Sequence, residues 1–163
     1  MTIQALNNVV LRQATVADAS IMSELVEPLM VNWLAPDGNA QALARLLQIH
    51  RPAMIARNIN DGFRYWLAET AAAERIGFIA LKPPAHLFNL YVREDWHGRG
   101  VGGLLWQQLQ RTVLAAAGSC ITVNASERAI AVYRKWAFVE TEPLQCHEGL
   151  RFQPMCWRAA CVA

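Results

Sequence analysis

Glycine, histidine and arginine crowd into one short stretch, Trp96-His97-Gly98-Arg99-Gly100-Val101-Gly102-Gly103, immediately before a strongly periodic run. That run places Leu104, Leu105, Leu109, Thr112 and Val113 at helical spacing. Just upstream, a strand-like segment ends with Leu90-Tyr91-Val92, and Arg93 to His97 form the turn between. Glycines at a helix start clear side chains away from backbone N–H groups that have no partner inside the helix. With the positive end of the helix dipole, those groups form an anion site suited to phosphate or pyrophosphate. Glycine inside an element costs ~1 kcal/mol relative to alanine, so Gly98, Gly100 and Gly102 call for a reason.

Three readings of this stretch compete. Gly98, Gly100 and Gly103 also spell G-x-G-x-x-G, the dinucleotide motif. That motif wants its glycines directly after the strand and an acidic residue ~20 positions further on. Here a polar pentapeptide intervenes, and Ile121-Thr122-Val123-Asn124 occupies the downstream position. No Gly-Lys-Ser/Thr follows, which excludes the phosphate loop of nucleotide hydrolases. The plain alternative is a turn that only packs helix on strand.

A second block decides the matter: Asn124-Ala125-Ser126-Glu127-Arg128-Ala129-Ile130-Ala131-Val132-Tyr133-Arg134-Lys135-Trp136-Ala137-Phe138, one strand and one helix later. In this order and spacing the two blocks resemble the GCN5-related N-acetyltransferases (GNAT). The first matches motif A, Arg/Gln-x-x-Gly-x-Gly/Ala, which wraps the pyrophosphate of acetyl-CoA. The resemblance runs from Val10-Leu11-Arg12-Gln13-Ala14-Thr15 to the terminal strand.

The resemblance implies a residue-level site. The backbone of Leu90, Tyr91 and Val92 would pair with the pantetheine arm of acetyl-CoA. One N–H there would stabilise a developing oxyanion, an effect often worth ~3 kcal/mol. His97, Gly98, Arg99, Gly100, Val101, Gly102 and Gly103 would hold the phosphates, and Asn124 and Ser126 would add polar contacts. Tyr133 matches the tyrosine that protonates the departing thiolate, a transfer from a phenol of pKa ~10 to a thiolate whose acid lies near ~8.5. His86 is the candidate general base, with an intrinsic pKa suited to the task. Glu69, Glu94 or a chain of waters are alternatives. Without the resemblance, Tyr133 reads as a core aromatic on a helix stripe, His86 as a surface histidine and Arg99 as a solvated cation.

This chain also departs from the family pattern. His97 stands where Arg or Gln is usual, Ser126 where Asn is common, and Ala137-Phe138 replaces Gly-Phe. Alanine at a left-handed helix end costs roughly 1 kcal/mol over glycine. No Cys or Ser sits beside a matched His in either block, which fits direct attack in a ternary complex rather than a covalent enzyme intermediate. The expected activity is acetyl transfer from acetyl-CoA to a primary amine of a small molecule, protein or peptide. The rivals are a non-catalytic or regulatory acyl-CoA-binding module and an enzyme for longer acyl chains. The acceptor regions offer Trp33, His50, Arg57, Arg64 and Trp66 without a recognisable pattern.

The elements that must position these residues are legible in outline. Val9–Ala14 reads as a strand, closed by Thr15, which with Asp18 makes a capping-box-like helix start. Ile21, Leu25, Leu29 and Trp33 form one helical face, Pro36-Asp37-Gly38 a turn, and residues 39–59 a helical region that Pro52 should kink or split. Strands follow at Arg64–Glu69, Glu74–Lys82 and Leu87–Val92, the last two antiparallel. Next come the helix ending at Gly118, strand Cys120–Asn124 and the Tyr133 helix. Strands Phe138–Glu142 and Leu150–Trp157 close the chain, joined around Cys146-His147-Glu148-Gly149. The order β-α-α-β-β-β-α-β-α-β-β is the family's, an α/β (α+β) fold with a mixed sheet of about seven strands and helices on both faces.

The chain has 163 residues, 54% hydrophobic and 17% charged, enough for one well-buried domain spanning 1–163. A net charge of +2 is too small to argue for nucleic acid or an acidic membrane surface. No run approaches the ~18 apolar residues of a membrane helix, and no secretory leader is visible. Cys120, Cys146, Cys156 and Cys161 lack metal spacing and read as reduced cytoplasmic thiols. Acetyl-CoA and an amine are the expected partners, with homodimer formation left open.

Overall fold

Residues 64–70 show how the sheet acquires two covered faces. Side chains along a strand alternate sides, so a strand buried on both faces is apolar throughout. In Arg64–Thr70 (β2), Tyr65 and Leu67 join one apolar cluster, while Trp66 and Ala68 join another. The computed structural model describes residues 8–34 and 39–160; the Pro36-Asp37-Gly38 turn lies outside them. On the Tyr65 side pack helices Ala19–Leu34 (α1), Ala40–Ile49 (α2) and Pro52–Asn60 (α3). On the Trp66 side packs Val101–Ala115 (α4), with Ile130–Lys135 (α5) closing the same cluster.

The remaining strands are Val9–Gln13 (β1), Arg75–Lys82 (β3), His86–Val92 (β4), Cys120–Ser126 (β5), Val139–Glu140 (β6), Gln145–His147 (β7) and Leu150–Arg158 (β8). All eight strands belong to one sheet, in the order β1-β2-β3-β4-β5-β8-β6, with β7 also paired to β8. Every pairing is antiparallel except β4 with β5. The expected α/β layering and element order are present.

Three local differences have physical causes. Pro52 does split the second helical region, standing in the first turn of α3, where its missing N–H costs nothing. The closing loop is itself a hairpin: Glu148 and Gly149 both have positive φ, 49° and 78°, the two-residue turn that joins β7 to β8. This gives eight strands instead of about seven. Helix α4 ends with Ala117 in the left-handed region, φ 58°, not with Gly118. Gly118 is needed for a different reason, because a Cβ there would lie 2.9 Å from the Val113 carbonyl oxygen.

Two irregularities shape the centre of the sheet. Parallel β4 and β5 pair only at His86↔Thr122 and Leu87↔Val123, and then part company. Beyond that point β4 stays with β3 as far as Val92, whereas β5 follows β8 as far as Ser126. In addition, Ala80 pairs with Asn89 but Leu81 with Leu87, so Phe88 is an extra residue, a β-bulge. The bulge puts Phe88 and Asn89 on the same side, facing α1–α3.

Candidate active site

The wedge between β4 and β5 is a cavity of about 550 Å³. Leu90, Tyr91 and Val92 form one wall, and Val123, Asn124 and Ser126 line the other. Beyond Leu87↔Val123 neither wall is paired with the other, so main-chain groups facing the gap are free to bond something placed between them. Gly98, Gly100, Val101 and Gly102 close one end, and Tyr133 and Trp136 of α5 lie alongside.

The glycine end has the geometry of an anion cradle. Gly98 and Gly100 have φ of 72° and 87°, a region in which a Cβ is strained. Gly100 caps α4, whose first hydrogen bond runs from Leu104 N–H to the Gly100 carbonyl. The N–H groups of Val101, Gly102 and Gly103 therefore have no intrahelical partner and lie at the positive end of the helix. Gly102 is not required by backbone shape: a Cβ there would meet Trp136 at an ordinary 3.7 Å, and one at Gly103 would meet nothing within 4 Å. Trp106 and Trp136 stack at 5.9 Å behind this turn.

His97 acts on the turn itself. Its Nε2–H donates to the Val92 carbonyl at 2.7 Å, tying the turn to the end of β4. Arg99 lays its guanidinium over the Trp96 ring at 5.0 Å and does not line the cavity. Trp96 does line it.

Tyr133 is buried at 5% exposure, its ring against Trp136 and Phe138 at 5.7 and 5.2 Å. Its hydroxyl has no hydrogen-bond partner among the described residues and is not sealed in the core, so it opens into the cavity. Burial raises its pKa above the usual ~10, which keeps the proton on the oxygen. Tyr91 shares the cavity, and its pKa is also raised, by burial and by the neighbouring Tyr133.

The other candidates separate. His86 does not line the cavity; it stands where β4 and β5 are still paired, its Nδ1 2.8 Å from Thr122 Oγ1. Burial and the nearby Lys82 hold its pKa down. Glu69 is held by Arg12 and Arg75 at 2.9 and 3.2 Å, and Glu94 is exposed in the turn outside the cavity. Arg57 pairs with Asp61, and Arg64 lies over Trp66, whose ring is in the core. Trp33 lines the cavity beside Tyr91, with ring centroids 6.4 Å apart, and Arg128 reaches toward the Trp33 carbonyl.

Sequence reasoning missed Phe88, Asn89 and the link from His50 to this cavity. The signal was Asn89 itself, a polar residue inside the apolar run Leu87-Phe88-Asn89-Leu90. It is 8% exposed and bonded to His50.

The cavity fits acetyl-CoA in the terms the structure offers. Unpaired N–H groups at a helix start suit the pyrophosphate, and a gap between two partly unpaired strands suits a narrow amide-bearing arm. Comparison with known proteins agrees. The family model described as acetyltransferase (GNAT) domain matches residues 34–159. No functionally curated protein matches the chain. Among solved structures, a GCN5-related N-acetyltransferase from Rhodopseudomonas palustris is 24% identical, with a TM-score of 0.77 over 93% of this chain and 96% of its own. The PaiA N-acetyltransferase of Thermoplasma acidophilum, solved in complex with coenzyme A, is 14% identical, with a TM-score of 0.76 over 93% and 99%. Ard1 from Thermoplasma volcanium is 15% identical, with a TM-score of 0.67 over 94% and 99%. These likenesses are likenesses of fold. The family match covers most of the chain and both sequence blocks, and by it the chain belongs to the GNAT acetyltransferase family.

Proposed function

We propose that this protein is an acetyl-CoA-dependent N-acetyltransferase acting on a primary amine by direct attack in a ternary complex. The carrying observation is one cavity that holds both the glycine turn Gly98–Gly102 at a helix start and the Tyr133 hydroxyl, which has no partner among the described residues. The cradle and the helix start of α4 bind and orient the phosphate end of the cofactor. The edge of β4 at Leu90, Tyr91 and Val92 that β5 leaves unpaired takes the arm, and Asn124 and Ser126 face it from β5. When bound, acetyl-CoA supplies an activated acetyl thioester. Tyr133 holds a proton in the cavity and gives it to the thiolate that leaves. With His86 outside the cavity, the proton lost by the amine goes to water.

The test is a panel of primary amines, incubated with acetyl-CoA and assayed for released coenzyme A thiol. Amine-dependent thiol release supports the reading. Binding of acetyl-CoA without release on any amine would leave a non-catalytic acyl-CoA-binding module. Faster release from longer acyl-CoAs would move the donor away from acetyl.

A further inference from the structure

His50 is the most buried polar side chain that the acetyl-transfer scheme leaves unused, at 3% exposure. It follows the last turn of α2, and its Nδ1 lies 2.7 Å from the Leu46 carbonyl oxygen. A carbonyl accepts only, so Nδ1 carries the hydrogen. Burial disfavours a second proton on the ring, so Nε2 is a bare acceptor. Asn89 stands 3.1 Å from that nitrogen and must offer it an N–H, which fixes the direction of the amide. The Asn89 Oδ1 is then the atom left over. The Tyr91 hydroxyl stands beside the same amide, but among the described residues no hydrogen bond reaches Oδ1 itself; the oxygen is not sealed, and Asn89 lines the cavity. The Phe88 bulge is what turns Asn89 to this face, and the edge of the His50 ring is clamped by Tyr91 at 5.1 Å.

A 92%-buried amide whose carbonyl opens into a reaction cavity, in an orientation set by a second buried side chain, is a preorganised hydrogen-bond acceptor. The groups around it are aromatic: Trp33, Phe88 and Tyr91 line the same cavity. We propose that Asn89 binds the acceptor substrate: its Oδ1 receives an N–H of the incoming amine, His50 is the positioning residue that holds the amide, and the Trp33–Phe88–Tyr91 wall takes an aromatic carbon body. This rests on the N-acetyltransferase reading and narrows its substrate class to arylalkyl primary amines.

The experiment measures kinetics and direct binding on the intact protein with 2-phenylethylamine, hexylamine and spermidine. The wild type should prefer 2-phenylethylamine over hexylamine, and hexylamine over spermidine. Asn89→Leu removes the carbonyl at similar volume and should raise the amine KM at least tenfold. The acetyl-CoA KM and the coenzyme A melting shift should stay within twofold. Asn89→Asp keeps an oxygen facing the cavity and can pair with His50 only once that ring takes a second proton, so it should raise the amine KM less than Asn89→Leu does, whereas a merely structural amide would suffer alike from both changes. His50→Phe frees the amide to rotate and should also raise the amine KM alone, and it carries the test if Asn89→Leu does not fold. An unchanged amine KM in Asn89→Leu, an equal rise in both KM values, or a preference for spermidine would overturn the inference while leaving N-acetyl transfer standing. Asn89-dependent amine binding without transfer would overturn the activity and leave the binding site standing. Neither binding nor transfer on any amine would overturn both.

Discussion

A phenol that keeps its proton, sits in the cavity and bonds nothing in the protein is a reagent waiting for a partner. Among the described residues Tyr133 meets all three conditions, and one substitution tests the catalytic role proposed for it against a structural one. Tyr133→Phe preserves the ring contacts with Trp136 and Phe138 and removes only an oxygen that no described residue uses. Stability should therefore change by less than the ~1 kcal/mol of a lost hydrogen bond, while turnover falls ~10²-fold. Acetyl-CoA affinity should hold, since the proposed binding groups are the glycine turn and the β4 backbone. Steady-state kinetics and a melt on one preparation decide it: normal turnover in the phenylalanine variant would remove Tyr133 from the mechanism. The raised pKa adds a sign. With the neutral phenol as the proposed proton donor, turnover should show no loss from Tyr133 ionisation as pH climbs toward ~10.

At the scale of elements, the proposed function rests on where β4 ends and α4 begins. Gly100→Ala and Gly100→Asp separate the two things this glycine does. Alanine at φ 87° costs strain, roughly 1 kcal/mol of stability, but adds no charge and should leave measurable coenzyme A binding. Aspartate adds a carboxylate at the positive end of α4 and should abolish binding in the folded protein, read by calorimetry with coenzyme A. If the aspartate variant binds normally, the phosphate site is elsewhere. This turn was legible because glycine spacing, helix periodicity and strand end fall in one short window. So was the capping arrangement at the first helix: the Thr15 N–H donates to Asp18 at 2.8 Å. The Phe88 bulge was not legible, because a one-residue slip in pairing leaves no mark on an apolar run, yet it decides which face Asn89 and Tyr91 share. The β7–β8 hairpin was missed because Glu148, a residue with little left-handed preference, occupies the first turn position. The αL position after α5 is the opposite case: Ala137, expected to bear this geometry if the helix ended so, does have φ 64°.

For the molecule as a whole, two measurements probe the native state from outside the site and from within it. Outside it, Arg12 of β1 bridges Asp18 and Glu69 of β2 at 2.7 and 2.9 Å, and Arg75 of β3 also reaches Glu69. The Arg12 guanidinium holds the Asp18 carboxyl well below its ordinary range, down to about 2. A depressed acid stabilises the fold above its unfolded pKa of ~3.9, and that contribution disappears as pH falls from there to about 2. Asp18→Asn should therefore cost about 1–2 kcal/mol at pH 7, with the gap to wild type closing by pH 2; a constant gap in urea melts would remove the pair from the account. Within the site, only the folded chain brings β4, β5, α4 and α5 together around one cavity, so a ligand of that cavity binds the native state and not the unfolded one. Linkage then fixes the size of the effect. Coenzyme A or acetyl-CoA at 100 times its dissociation constant should add ~2.7 kcal/mol, and each further tenfold ~1.4 kcal/mol. The increment should survive Tyr133→Phe and vanish in Gly100→Asp, because one change touches chemistry and the other the cradle. Wild-type protein whose melting temperature ignores millimolar acetyl-CoA would overturn the cavity as a cofactor site, whatever the fold resembles.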